Sequence, residues 1–320
     1  MNIEQNELFA LSPSPHVKHS LTTQKIMRDV LIALAPAFIW SIAAFGVMAA
    51  VLTVLSVSLC VFFEAGYQYI TRQRITVSDL SAAVTGVLLA FNLPSRCAWW
   101  TLIPGTFFAI VIVKQLFGGI GKNVVNPAIA ARIFMFVSWP SQFSVFREPM
   151  SDAVSSATPL ASAKSGVISA DYSVLDAFLG RIPGCIGEVS ALCLIIGFVY
   201  LLARRVISWH IPVSFVGTVA LLSFIFPQAG GRLEYTAVSV LTGGLLLGAI
   251  FMATDYVTSP ATSKGRLIFG CGCGLITVMI RFFGAYPEGV SFAIMIMNLL
   301  VWYIDRLTAP RPFGYKRKGR

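Results

Sequence analysis

Residues 49–70 read AAVLTVLSVSLCVFFEAGYQYI, an unbroken apolar stretch with a single charged side chain, Glu64. A helix that crosses a bilayer needs about 20 mainly apolar residues, so this stretch predicts a transmembrane helix. Ten candidate stretches occur along the chain, at about residues 28–47, 49–70, 79–94, 98–117, 124–140, 187–203, 207–227, 235–254, 266–284 and 288–305. The third is short and ends at Asn92-Leu93-Pro94, and in the fifth Asn126-Pro127 predicts a helix start with proline in the first turn. The sequence therefore predicts an all-α polytopic membrane protein with about ten transmembrane helices.

The composition agrees with this class of protein. Of the 320 residues, 56% are hydrophobic and 12% are charged, about half the charged share of a soluble domain. So few charges could not cover the surface of a soluble protein of this size, which excludes an ordinary cytosolic enzyme. The net charge of +10 does not indicate a nucleic-acid partner, because the basic residues fall in short loops and form no continuous basic face. The histidines and cysteines lack metal-ligand spacing, so we predict no metal site.

The positions of the basic residues predict the orientation, since lysine and arginine gather in cytoplasmic loops. With both termini inside, ten spans place sixteen basic residues on the inner side and five on the outer side. We therefore predict cytoplasmic N and C termini and one long extracytoplasmic loop. The chain then divides into a cytoplasmic segment (1–27), a first transmembrane half (28–140), the long loop (141–186), a second transmembrane half (187–305) and a basic cytoplasmic tail (306–320).

Two stretches of the first half recur in the second. VTGVLL at residues 84–89 is similar to LTGGLL at 241–246, and IVKQLFG at 112–118 is similar to VMIRFFG at 278–284. Because each half has an odd number of spans, the two five-helix repeats would be inverted relative to each other. Inverted repeats are typical of transporters whose binding sites lie at the repeat interface. The alternative is that Thr-Gly and Phe-Gly pairs recur by chance in glycine-rich membrane helices.

The long loop contains SDAVSSATPL at residues 151–160. Asp152, Ser155, Ala157 and Thr158 form the pattern recognised by a flavin transferase, which esterifies a threonine hydroxyl with the phosphate of FMN. The acceptor hydroxyl has to lie on an exposed, flexible turn, and the serines and Pro159 are typical turn residues. The pattern predicts FMN linked to Thr158, with Asp152 positioning the loop on the transferase. A serine-rich loop without modification is the alternative.

Further motifs are spread over almost the whole chain. They include SPSPH at 12–16, KQLFGGIG at 114–121, NPA at 126–128, GEVSAL at 187–192, FMATD at 251–255 and YPEG at 286–289. Together with the loop motif, they make the chain resemble the D subunits of Rnf complexes and, more distantly, the B subunits of sodium-pumping NADH:quinone reductases. The lack of a long N-terminal extension and the tail PRPFG at 310–314 favour the Rnf branch.

The resemblance implies a redox subunit of an ion-translocating oxidoreductase complex in the cell inner membrane, not active on its own. Such complexes move electrons between reduced ferredoxin and NAD and couple this to movement of Na⁺ or H⁺. The implied cofactors are FMN esterified to Thr158 and a second, non-covalent riboflavin within the membrane. The implied partners are the flavin transferase and the other Rnf subunits, among them a second flavinylated subunit and iron–sulfur subunits. Ser156 stands where the family often has glycine, which adopts positive φ more freely.

Charged side chains within spans are functional candidates because they are costly in a membrane. Glu64, Asp255 and Glu288 are candidates for an ion pathway. The alternatives are a Glu64 that reaches towards the membrane interface or pairs with Arg72, a turn cap by Asp255, and a favourable contact of Glu288 with a helix N-terminus.

Three basic residues fall within the predicted spans. Lys114, Arg132 and Arg281 are candidates for binding an anionic flavin or a carboxylate partner, and Lys114 and Arg281 lie at nearly equivalent places in the repeat. The alternative is that their long side chains reach towards a membrane interface. No catalytic side chain is predicted, because FMN itself carries the redox chemistry.

Three functions remain open on the sequence. The first is the redox subunit described above, in the Rnf form or in the form of the sodium-pumping NADH:quinone reductase. The second is a secondary transporter or channel without redox chemistry, which would be colourless when purified. The third is a structural scaffold for other subunits, which leaves the Asp152–Thr158 motif unexplained.

Overall fold

The computed structural model describes residues 22–310, apart from 152–153, 156–157, 167–172, 189 and 285. The described part of the chain is mostly helical. In chain order, its helices are α1 (Thr23–Phe45), α2 (Val47–Ile70), α3 (Ser81–Phe91), α4 (Leu102–Phe107), α5 (Pro127–Ser138), α6 (Pro159–Lys164), α7 (Val174–Leu179), α8 (Ala191–Ala203), α9 (His210–Ile225), α10 (Arg232–Leu241), α11 (Leu245–Leu247), α12 (Ser263–Phe283) and α13 (Val290–Thr308).

Shorter elements complete this architecture. The helices α4 and α11 continue directly into π-helical segments, Phe108–Gln115 and Gly248–Met252. Single 3₁₀ turns lie at Val77–Asp79, Trp99–Thr101 and Pro140–Phe143. In the long loop, β1 (Phe146–Arg147) pairs antiparallel with β2 (Val154–Ser155).

Four of the described helices, α1, α2, α12 and α13, are long and apolar enough to cross a membrane. A fifth span results if α10 and the helix Leu245–Met252 count together, although they are bent by 54°. The other predicted spans correspond to shorter apolar helices, such as Ser81–Phe91 and Trp99–Gln115. The helical class is confirmed, while the arrangement of ten spans in two repeats stays a prediction.

The prediction of one continuous helix over residues 235–254 is wrong. The helix ends at Leu241, and Gly243 and Gly244 adopt φ values of 69° and 68° before helical structure resumes at Leu245. Glycine adopts this left-handed conformation without the steric penalty of other residues. A Cβ atom at Gly244 would also lie 2.8 Å from the carboxylate of Glu188, so the break brings backbone close to a buried charged group.

The short helix α3 ends inside the protein, where the backbone of the loop satisfies its last carbonyl groups. The amides of Ile186 and Gly187 donate to the carbonyls of Leu93 and Phe91, both at 2.9 Å. Irregular backbone at membrane depth is tolerated where protein groups supply the missing hydrogen bonds. The segment before α8 is thereby fixed against the end of α3.

Close packing of α2 on α3 depends on Gly86. A Cβ atom there would lie 2.7 Å from the Cα of Val57, and the hydroxyl of Ser56 donates to the carbonyl of Gly86 at 2.8 Å. Small residues permit such close approach of membrane helices. This contact sets the position of Ser81 at the start of α3 relative to Glu64 on α2.

The first and second halves of the chain pack against each other through α1 on α8 and through α5 on α13. Asn126 caps α5 by accepting from the amide of Ala128 at 3.0 Å, and its side-chain amide donates to the carbonyl of Met252 at 3.2 Å. The predicted helix start at Asn126-Pro127 is confirmed. One asparagine thus connects the start of α5 to the end of the second π-helical segment.

Candidate functional site

Thr158 is the N-cap residue of α6. Its hydroxyl oxygen accepts from the amide of Ala161 at 3.3 Å, and Pro159 occupies the first helical position, as is common at helix starts. The side chain is buried, with 5% of the residue exposed. Thr158 has extended backbone as the cap of α6, and the prediction of an exposed hydroxyl is wrong, because capping and the docking of α6 cover it.

The rest of the predicted loop motif is only partly described. Asp152 and Ala157 lie outside the described residues, as does the side chain of Ser155, whose backbone belongs to β2. Their predicted roles in flavin attachment stay predictions.

Contacts at its other end hold α6 in place. Ala163 is fully buried in a cluster with Tyr235 and Val238 of α10. The ammonium of Lys164 donates to the carbonyl of Gly284 and, at 3.1 Å, to that of Tyr286. Partial burial lowers the pKa of Lys164 from its ordinary value. The loop helix is therefore fixed between α10 and the segment that follows α12.

A cavity of about 330 Å³ lies beside Thr158, and we call it the loop cavity. Its walls are largely apolar and aromatic, with a few polar groups, which is the usual character of a small-molecule site. The lining residues most relevant to binding are Thr158, Arg132, Phe136, Phe143, Tyr286 and Glu288. The predicted modification site and a buried charged pair thus share one cavity.

That charged pair is Arg132 and Glu288. The guanidinium of Arg132, on α5, donates to the carboxylate of Glu288 and to the hydroxyl of Ser291 at the start of α13. The exposed fraction is 8% for the Arg132 side chain and 17% for that of Glu288. The carboxylate alternative for Arg132 is confirmed. Glu288 precedes α13, which begins at Val290, and its partner is a side chain of the other half of the chain.

Further ionisable groups surround this pair. The Cys185 sulfur and carboxylate oxygens of Glu188 and Glu288 lie within 4.8 Å of one another, as metal ligands could. Glu188 also accepts from the amide of Cys185 at 3.2 Å. Arg132 already compensates the charge of Glu288. The cluster of Cys185, Glu188 and Glu288 therefore carries less uncompensated negative charge than it would without Arg132.

A second cavity has a volume of about 400 Å³, and we call it the α1–α3 cavity. It is lined by residues of α1, α3, the first π-helical segment and the turn that follows the second π-helical segment. Lys114 belongs to its wall. The Lys114 ammonium lies 2.8 Å from a carboxylate oxygen of Glu64 and donates to Ser81 at 2.6 Å, while Gln115 donates to Glu64 at 2.8 Å. The alternative that Glu64 pairs with Arg72 is wrong; its cationic partner comes from the first π-helical segment.

The remaining predicted residues are Asp255 and Arg281. Asp255 follows the second π-helical segment, lines the α1–α3 cavity, and accepts from the hydroxyl of Thr258 at 3.1 Å. Arg281, 3% exposed, donates to the carbonyl of Ser239 at 2.7 Å, and its Nε and Nη2 atoms have no hydrogen-bond partner among the described residues. Lys114 and Arg281 therefore differ in environment despite their similar sequence contexts.

The mutual pairing of the charged groups within spans was not predicted from the sequence. Glu64 with Lys114, and Arg132 with Glu288, are of opposite charge and lie in or beside apolar stretches, where charged side chains pair with one another. The presence of opposite charges in apolar stretches therefore indicated that pairs would form. It did not indicate which residues pair, because the partners are 50 and 156 residues apart in sequence.

Comparisons with known proteins establish the family. Residues 10–314 match the model of the NQR2, RnfD, RnfE family. The chain belongs to this family. It is 46% identical over 313 residues to the D subunit of the Na⁺-translocating ferredoxin:NAD⁺ oxidoreductase complex of Acetobacterium woodii, covering 97% of this chain and 96% of the relative. The resemblance drawn from the sequence motifs is thereby confirmed.

Two further relatives show how the family varies. The D subunit of the proton-translocating ferredoxin:NAD⁺ oxidoreductase complex of Clostridium ljungdahlii is 37% identical, with 98% of each chain covered. The D subunit of the ion-translocating oxidoreductase complex of Stutzerimonas stutzeri is 36% identical, with 93% of this chain and 94% of the relative covered. Because the names of family members specify different ions, membership in the family does not fix the coupling ion.

Proposed function

We propose that this chain is the D subunit of an ion-translocating ferredoxin:NAD⁺ oxidoreductase complex and that it carries FMN esterified to Thr158. It acts as a redox subunit, passing electrons within the complex while Na⁺ or H⁺ crosses the membrane. The observation that carries the proposal is that Thr158 lines the loop cavity. Near-complete coverage by relatives named as D subunits of such complexes supports it.

The residues of the loop cavity fit FMN. Its volume of about 330 Å³ is within the range of small-molecule sites, about 300–1,000 Å³. Phe136, Phe143 and Tyr286 supply aromatic surface for a flat ring, and Thr158 supplies the hydroxyl. When bound, FMN provides the electron-transfer chemistry, and the protein positions it, keeps it from water and sets its electrostatic surroundings.

Burial of Thr158 has a consequence for maturation. Its oxygen accepts from Ala161 and is covered when α6 is docked. A transferase that requires this hydroxyl therefore acts before α6 docks or while the helix is locally detached. The helix has only six residues, so such local opening costs far less than unfolding of the chain.

We propose the α1–α3 cavity for the non-covalent riboflavin. Its volume of about 400 Å³ suits a small cofactor, and Lys114 and Asn126 provide hydrogen-bond donors in its wall. Among the proposed ion-pathway residues, Asp255 lines this cavity, Glu288 lines the loop cavity, and Glu64 is closed off by Lys114 and Gln115. Arg281, which lines neither cavity, stays a proposed flavin-binding residue.

The proposed arrangement in the membrane follows the charge distribution. Two inverted five-helix repeats place both termini in the cytoplasm and residues 141–186 outside the inner membrane. The partners are the other Rnf subunits, including a second flavinylated subunit and iron–sulfur subunits, together with the flavin transferase. The short apolar helices support this by offering, beside the four long ones, further segments that pack within a membrane bundle.

Replacement of Thr158 tests the proposed attachment. The parent chain, co-expressed with a flavin transferase, should fluoresce as a flavoprotein on a denaturing gel, and Thr158→Ala should abolish this fluorescence. Ser165→Ala is the matched control, because it removes a hydroxyl at the opposite end of α6 and should leave the fluorescence unchanged. Full covalent flavin in Thr158→Ala would overturn the proposal, and a colourless parent protein would favour a transporter without redox chemistry.

A further inference from the structure

The loop cavity contains one side chain whose charge is expensive at this location. Arg132 lies on α5, and only 6% of the residue is exposed. An ionised group within the membrane region is costly unless it is paired, and such groups are functional candidates by default. Among the described residues that line the cavity, Arg132 is the cation. Lys164 is nearby, but its ammonium is bound to two backbone carbonyls.

The position of Arg132 is fixed from the opposite half of the chain. Glu288 and Ser291 accept hydrogen bonds from its two terminal nitrogens. A guanidinium has five N–H donors, so these two bonds leave further donors for a ligand. Glu288 lines the same cavity and compensates much of the positive charge. The electrostatic field inside the cavity therefore depends chiefly on the balance between Arg132 and Glu288, with the Glu188 carboxyl group, within 4.8 Å of that of Glu288, as a further acidic group nearby.

We propose that Arg132 stabilises the reduced form of the flavin attached to Thr158, and that Glu288 is its positioning residue and limits this effect. The inference rests on the proposed function and adds the group that sets the flavin's redox potential. Two electrons from the reduced donor of the complex and one proton from water convert the neutral oxidised ring into a singly negative reduced ring. A nearby cation stabilises that added charge, while a nearby carboxylate destabilises it.

This assignment predicts shifts of opposite sign for the two partners. Arg132→Gln leaves the Glu288 carboxylate in the cavity without its cation, so the reduced flavin should become less stable. Glu288→Gln leaves the guanidinium uncompensated, so the reduced flavin should become more stable. If the ion pair were purely structural, the two variants would not shift the stability of the reduced flavin in opposite directions, because loss of either partner would disturb the cavity in the same way.

The test is spectroelectrochemical titration of the flavin linked to Thr158, in the full-length chain within its complex. Arg132→Gln should lower the midpoint potential by about 30 mV or more, which is a tenfold loss in preference for the two-electron reduced form. Glu288→Gln should raise the midpoint potential. Arg132→Lys keeps the charge, so its midpoint potential should lie between those of Arg132→Gln and the parent. Arg181→Gln removes an exposed positive charge from the same loop outside the cavity and should leave the potential unchanged.

Equal potentials in the parent and Arg132→Gln, or shifts in the same direction for Arg132→Gln and Glu288→Gln, would overturn the inference. If Arg132→Gln does not fold, Glu288→Gln alone tests the inference. A lowered or unchanged midpoint potential in Glu288→Gln would then contradict it. These results leave the proposed attachment intact, since the flavin is still present to be titrated. A parent chain without covalent flavin overturns the attachment and, with it, this inference.

Discussion

Two buried ion pairs, Lys114–Glu64 and Arg132–Glu288, join charged side chains inside this membrane protein, and they differ in what surrounds the carboxylate. Glu64 is 1% exposed, contacts Gln115 as well as Lys114, and lines neither cavity. The Glu288 side chain is 17% exposed and lines the loop cavity together with its partner. The first pair connects elements of the first half of the chain, whereas the second connects the two halves.

Burial therefore does not by itself separate a structural ion pair from one that acts on a ligand. The closed Glu64 carboxylate accepts from Lys114 and Gln115 and borders neither of the two cavities, so loss of its charge acts mainly on stability. The Glu288 carboxylate borders a space that a ligand or water can enter, so loss of its charge acts mainly on the contents of the cavity.

Opening the closed pair should have the strongest effect. Glu64→Gln leaves the buried ammonium of Lys114 without a counter-charge, and removing one partner of a buried pair costs about 3–5 kcal/mol. We expect a corresponding loss in the free energy of unfolding, measured by denaturant titration in detergent. The double variant Glu64→Gln, Lys114→Met removes both charges and should recover much of the loss. Glu234→Gln, at an exposed position, is the control, and equal stability of Glu64→Gln and the parent would contradict the structural role of this pair.

A weaker effect should follow from separating α2 and α3, which carry Glu64 and Ser81. In Gly86→Ala the new methyl group would lie 2.7 Å from the Cα of Val57, and overpacking of this kind costs about 1–3 kcal/mol. Gly66→Ala, on α2, is the matched control, because no atom lies within 4 Å of the added Cβ, and it should stabilise by roughly 0.5–1 kcal/mol. The midpoint of thermal unfolding distinguishes the two, and equal midpoints would show that the helices are not in close contact here.

The weakest effect is expected at an exposed polar group in the long loop. Hydrogen bonds from the side chain and backbone of Ser173 lower the pKa of Asp176 below its ordinary value of 3.8. A carboxylate with a lowered pKa stabilises the folded form above the unfolded value, and this contribution is lost as the pH falls through the folded pKa. Protection of the α7 amides, taken relative to the intrinsic exchange rate at each pH, should therefore decrease as the pH falls below 3.8. Ser173→Ala removes the hydroxyl donor but keeps the backbone amide donor, so it should reduce this dependence. An identical pH profile in both chains would contradict the assignment.

Much of the fold could be predicted from the sequence because membrane helices depend on local composition. The helix start at Asn126-Pro127, the short third span and the long loop are all local features, and each occurs in the structure. The break at Gly243-Gly244 was missed because an apolar window is insensitive to two glycines. The conformation that separates the two helices is set by the surrounding packing, including Glu188.

The candidate site was predictable only in part. The loop motif identified Thr158, and charge within spans identified the residues that form the two ion pairs. Burial of the Thr158 hydroxyl could not be predicted, since it depends on α10 and on the segment after α12, which contact α6 from more than 60 residues away in sequence. Likewise, the cavity shared by Thr158 and Arg132 arises from several separate segments and leaves no local pattern.

Mass spectrometry of the proteolytic peptide that contains Thr158 provides the decisive test of covalent flavin attachment. In protein co-expressed with a flavin transferase, we predict that this peptide is heavier by FMN less one water, with fragmentation placing the addition on Thr158. An unmodified peptide under these conditions, or the same added mass located on another residue of the loop, would contradict the proposed attachment.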